Sequence, residues 1–338
     1  MKIPIIIAIV LICVGLLLGF FALLSVKFDV RLLSNVQYDE KTQVMTDSFS
    51  DIVISADTHD VRILPSDDGS VRVVYHELSS EKVTVNVSVQ DGKLSIVEED
   101  TRRWYQKISI FNFARHGITV YLPAGVYGAL DIDISTGKIV VEKGFSFAKA
   151  RVERSTGSLR LDMIVAGELN IKGSTGDLSL KGAAGSLQIK QSTGDVELSD
   201  LTVSGQMQIS TTTGEIDMTR VTAAAAFIEV DTGDIEAKGL TVSGDMAVES
   251  NTGDIELDHS LIGGHLEIES DTGDVSLDES DVGTAKITTD TGDVTGKLLT
   301  DKQYFATTDT GRVRVPTTAG GLVEIHTDTG NINFLGDD

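Results

Sequence analysis

Residues 226–257, AFIEVDTGDIEAKGLTVSGDMAVESNTGDIEL, hold the same short phrase twice. In the first copy Ala226 and Ile228 lead to Thr232-Gly233, and Ile235 and Ala237 follow. In the second Met246 and Val248 lead to Thr252-Gly253, and Ile255 and Leu257 follow. Apolar residues at alternate positions on both sides of a glycine are strand alternation around a corner, and helical spacing is absent. Glycine suits the corner because it takes positive φ without a steric penalty.

Read outward, the phrase recurs eleven times, at Gly137, Gly157, Gly176, Gly194, Gly214, Gly233, Gly253, Gly273, Gly292, Gly311 and Gly330. The steps are 18 to 20 residues. That period is too long for a hairpin alone and too short for a β-α unit, but it fits one coil of a β-solenoid. The sequence predicts an all-β fold: a single-stranded β-helix of about eleven coils, with a repeat of about 19 residues. Coils about 4.8 Å apart would make a rod on the order of 50 Å long.

The chain has 338 residues, 41% hydrophobic but only 5% aromatic, as expected of a thin aliphatic core. Its net charge of −23 is unevenly placed. Residues 1–130 carry 12 basic and 15 acidic side chains, and residues 131–338 carry 16 and 36. Such an acidic rod repels phosphate backbones, so no nucleic-acid partner is expected. A single cysteine excludes a disulfide framework.

The expected order is a transmembrane signal anchor (1–27), a juxtamembrane stalk (28–50), an N-terminal β region capping the solenoid (51–125), solenoid repeats (126–334) and a tail (335–338). Ile3 to Val26 carry no charge and are long enough to cross a bilayer, which makes lipid a partner. No small-x-small cleavage site follows, and Ile12 before Cys13 does not suit a lipobox. The reading is a single-pass protein of the cell membrane with its β-domain extracytoplasmic. In the capping region, Asp91-Gly92 between two alternating runs is a hairpin signal. A basic aromatic insertion, 101–116, interrupts the region; Arg102, Arg103, Trp104, Tyr105, Phe111 and Phe113 are its partner-contact candidates. They either cover the end of the core or meet an envelope protein, polysaccharide or lipid headgroup.

Five corners read Asp-Thr-Gly, the aspartic-protease tripeptide, but a dyad has no use for equivalents at every structural period. Most corners add an acid after the glycine, and stacked coils would bring these carboxylates about 5 Å apart. Asp234, Asp254, Asp274 and Asp293 are therefore weak cation-site candidates, calcium being the chemically suitable ion. Capping of the corner amides by the same short side chains is the competing structural reading. The six histidines are scattered and expected mostly in solvent. No catalytic residue or cofactor is expected.

Several separated motifs occur in a distinctive order: the segment from Asp57 to Asp67, Asp91 to Ile96, Ile118 to Pro123, and then serial Ser/Asp-Thr-Gly-Asp-Ile. In these the chain resembles the bacterial putative-adhesin β-strand-repeat family, a domain of unknown function also described as LiaG-like and related to head-GIN domains. The resemblance covers roughly residues 40–334. It implies a non-enzymatic β-helix at the cell envelope, linked in some members to envelope stress. The insertion around Trp104 is not part of that pattern. The alternative function is a carbohydrate-active β-helix enzyme, which would need convergent carboxylates beside aromatic platforms.

Overall fold

The computed structural model describes residues 12–17, 20–21, 24–25, 38–78, 82–103 and 117–336. The protein is all-β, a solenoid of about ten turns rather than eleven coils.

The near end comprises β1 (Tyr38–Met45), β2 (Asp51–Ala56), β3 (Asp60–Pro65), β4 (Val71–Leu78), β5 (Val83–Gln90), β6 (Lys93–Asp100), β7 (Gly117–Leu122), β8 (Gly125–Thr136) and β9 (Ile139–Val141). Strands β10 to β19 cover residues 145–272. The far end holds β20 (Val275–Thr291), β21 (Val294–Leu298), β22 (Lys302–Thr310), β23 (Val313–Arg314), β24 (Gly321–Thr329) and β25 (Ile332–Phe334).

Along the rod each strand pairs in parallel with its counterpart one coil away, in register. The apolar position five before the corner forms one column from Ile132 through Val152, Ile171, Ile189, Ile209, Ile228, Val248 and Ile268 to Ile287. These side chains are at most 1% exposed, and each contributes about 1.5–3 kcal/mol by leaving water. At the corners the Gly233 N–H donates to the Thr252 carbonyl at 2.9 Å, and the pattern repeats coil after coil. Gly233 has φ 141°, and a Cβ there would lie 2.1 Å from the Gly214 carbonyl oxygen. Close stacking therefore demands glycine more strictly than the dihedral does.

Each coil also turns at a second corner that carries no common residue. Asp200, Arg220, His259 and Glu279, each six residues past a corner glycine, sit at φ between 46° and 55°. Changes in repeat length are taken up by register shifts on the long strands, as between Val165 and Glu168 or Val203 and Gln206.

Both ends depart from chain order. The coil of β2 and β3 lies between β6–β7 and β8–β9. His59 occupies its corner, and the Gly137 Cβ position would lie 2.6 Å from the His59 carbonyl oxygen. At the far end β24 pairs with β20 on one side and β22 on the other, so the Gly330 coil stacks on Gly292 and the Gly311 coil lies outermost. Phe334 is 2% exposed and packs 5.3 Å from the Tyr304 ring above it.

The predicted cap is antiparallel. β5 covers β6 through the Asp91-Gly92 turn, with both residues at positive φ, and β4 covers β7. β1, within the segment read as a stalk, pairs antiparallel with β4. Residues 12–17, 20–21 and 24–25 are helical. Among the described residues no helix is long and apolar enough to cross a membrane, and the rest of the expected span Ile3–Val26 lies outside the described residues.

Candidate functional site

The acidic corners form a ladder. The carboxylate of Asp234 accepts the N–H of Asp254 at 2.8 Å, Asp254 accepts that of Asp274 at 2.8 Å, and Asp274 that of Asp293 at 2.8 Å. Asp293 then accepts the N–H of Asn331 at 2.7 Å, confirming that the Gly330 coil comes next. Each candidate acid thus caps a backbone donor that the corner leaves without a strand partner.

Among the described residues, the carboxylates that converge are Glu215, Asp217 and Glu236, whose oxygens lie within 4.8 Å of one another. None is among the four candidates. The Asp217 charge, then burial, pushes the Glu215 carboxyl above its ordinary value. Burial, then Glu236, does the same for Asp217. Lys238 relieves Glu236 at 3.0 Å. This spacing was hidden in sequence because Asp217 and Glu236 are three residues beyond their glycines, on the flank rather than the corner.

In the insertion, Arg102 is held by a two-pronged bond to the Asp100 carboxylate, at 2.8 and 2.9 Å, and Arg103 is exposed. Trp104, Tyr105, Phe111 and Phe113 lie outside the described residues. In the chain the insertion lies between β6 and β7.

A cluster that sequence reasoning missed lies in the adjacent coil. His59, one of six histidines expected mostly in solvent, is fully buried. Its Nδ1 is 2.9 Å from a Glu98 carboxylate oxygen, and its Nε2 is 2.7 Å from the His76 carbonyl. Glu98 also accepts the N–H groups of Asp57 and Thr58 at 2.7 and 3.1 Å. Burial pushes the Glu98 carboxyl up, but His59 and the two amides outweigh it and hold the group below its ordinary value. The cluster joins the β2–β3 corner, β4 and β6. Its sequence signal was Asp57-Thr58-His59-Asp60, the Asp-Thr-Gly-Asp phrase with histidine in the glycine's place.

Two open grooves run along the corners. One, lined by Lys138, Arg160, Asp195, Glu197 and Asp217 among others, follows the acid side of the corners. The other follows the serine side around Arg154. Neither is lined by an aromatic residue.

A stacked-corner β-solenoid closed by interleaved ends is the class these features define. The Toastrack DUF4097 family matches residues 49–236 and 183–334, and the chain belongs to that family. Solved structures with similarity include a putative adhesin from Parabacteroides distasonis, 13% identical, covering 89% of this chain and 98% of that one, with a TM-score of 0.42. A putative adhesin from Bacteroides fragilis is 13% identical, covering 88% and 97%, with a TM-score of 0.30. A putative lipid binding protein from Parabacteroides distasonis is 14% identical, covering 88% and 97%, with a TM-score of 0.30. No curated protein matches the sequence.

Proposed function

We propose that the protein is a membrane-anchored, non-enzymatic β-solenoid that binds or scaffolds at the cell envelope, in a setting of envelope stress. The lipid bilayer holds residues 3–26, the rod stands on the extracytoplasmic side, and the basic aromatic insertion contacts an envelope protein or polysaccharide. No cofactor enters this reading, and any calcium on the acid corners is weakly held. One observation carries it. β1, which follows the apolar segment, and the two strands flanking the insertion belong to the same capped end of the rod. The strands on either side of the insertion thus lie at the end of the rod where the chain enters the fold. The uniform ladders beyond favour a spacer or display surface over a polysaccharide-cleaving site, as does the lack of aromatic lining in both grooves.

Replacing Trp104 and Arg103 together by alanine is expected to weaken association with envelope material in pull-downs from intact cells, without lowering the melting temperature. Undiminished capture would remove the insertion from the reading. Degradation of the rod by protease added to intact cells tests the orientation.

A further inference from the structure

The position three before each corner glycine is filled inside the rod by Ile134, Thr211, Val230 or Ser250, but in one coil by Arg154. Register sets Arg154 beside Gly173, and Gly173 beside Gln191. A Cβ on Gly173 would fall 2.2 Å from the Gln191 Oε1 and 2.9 Å from the Arg154 Nη1. The glycine therefore lets the two long side chains meet across the coil between them.

Arg154 is 4% exposed. It donates to the carbonyl oxygens of Gly176 at 2.9 Å, Asp177 at 3.3 Å and Thr175 at 3.4 Å, and to the Gln191 Oε1 at 3.3 Å. Its Nε has no acceptor, and among the described residues no carboxylate forms an ion pair with it. Burial pushes its pKa down, while the Asp177 charge pulls the other way. Carbonyl dipoles solvate this cation but do not neutralise it, and a buried charge without a counter-ion is costly.

Above it lies a groove of about 440 Å³. Lys172 and Lys190 line it, with the hydroxyls of Ser155, Ser174 and Ser192 on successive coils. Its two acids are Asp133 and Glu153, and Glu153 already holds Arg151 at 2.6 Å and Lys172 at 3.2 Å. Lys190 forms no ion pair among the described residues. With three cations and two acids the lining is net positive, on a rod that is otherwise strongly acidic.

We propose that this groove binds a phosphate group, free or as the phosphodiester of a polymer laid along the coils. Hydroxyl donors repeat about every 4.8 Å, ammonium groups flank them, and the guanidinium supplies charge from beneath. Inorganic phosphate presents four oxygens, and a phosphodiester two anionic and two ester oxygens, in a tetrahedral array that suits donors converging from several coils, where a carboxylate presents two in one plane. The site is separate from the insertion, and its reading stands without the membrane placement.

The test is isothermal titration of the full chain, in zwitterionic detergent at low salt, with inorganic phosphate and with short poly(glycerol phosphate). Wild type should bind, and Lys172→Ala/Lys190→Ala should bind at least about tenfold more weakly. Arg154→Met should lose binding too. Because that variant can also disturb the fold, the exposed lysine pair carries the test, with circular dichroism checking the strands. Arg103→Ala/Trp104→Ala should bind as wild type does. Tighter binding of the polymer than of phosphate identifies a phosphodiester chain as the source; equal binding per phosphate identifies the free ion. Absence of binding by wild type, full retention in the lysine variant, or loss in the Trp104 variant overturns the proposal.

Discussion

The two ends of the rod solve one problem by half-shared means. Parallel coils leave a row of unpaired N–H and C=O groups at each end, which templates association with other strands. At both ends the chain places its terminal coil inside the stack, β2–β3 at one end and β24–β25 at the other. The near end then adds antiparallel strands and a buried His59–Glu98 pair. The far end stops at β22–β23, where Phe305 is 65% exposed, with Phe334 and Tyr304 as its lid. Interleaving fixes an end in place, whereas covering it requires strands of the opposite direction, and only the near end has them.

The sharpest way to break this comparison is to set the middle against the edge. Gly233→Ala forces a methyl to within 2.1 Å of the Gly214 carbonyl with coils on both sides, and is expected to cost more than about 4 kcal/mol in thermal melting. Gly311→Ala meets the Gly330 carbonyl as closely, but its coil has nothing beyond it and can lift. A cost near 1 kcal/mol is expected there, and equal costs would refute the freedom of that end.

Phe334→Ala should remove about 3–5 kcal/mol and expose the far end to limited proteolysis while the cap stays protected. Protection throughout would mean that the ring does not hold the interleaved coil.

At the near end Glu98→Gln should cost about 3 kcal/mol, since it removes the buried carboxylate that faces the His59 ring at 2.9 Å and caps the Asp57 and Thr58 amides. Glu98 titrates below its ordinary value in the folded state, so its contribution is complete above about pH 4.3 and falls as pH drops through that folded value. In the variant this acid-side loss of stability should vanish from the melting profile of the cap. A persistent slope would point to other carboxylates.

The smallest effect on stability is expected from Phe305→Lys, within about 0.5 kcal/mol. Its readout is sedimentation. If the far edge is the less protected one, the added charge should reduce self-association at high concentration.

The glycine corners were legible because stacking tolerates no side chain there, so each repeat spells the constraint out. The second corner was not, because aspartate, arginine, histidine and glutamate can each enter the left-handed region at a tolerable cost, leaving no shared letter. The swap of the last two coils was hidden by equal spacing: Ile287 is followed equally well by Ala306 or Ile325. Only the weaker apolar pattern of the outer coil, with Ala306 in the core column and Val313 43% exposed, betrays which one faces water. Of the candidate sites, the acid ladder could be read as a line of residues. Its amide contacts, the buried His59 pair and the Arg154 groove depend on which coils are neighbours.

Interleaving also sets a timetable. The last two strands of the solenoid, Gly321–Thr329 and Ile332–Phe334, belong beneath strands synthesised earlier. A nascent chain that docked Lys302–Thr310 directly on Val275–Thr291 would have to release it again before the final insertion. The opposite end carries no such debt, since its layers are complete once Leu122 has emerged. Synthesis in chain order therefore favours growth of the solenoid from the capped end, with closure of the far end as its last step.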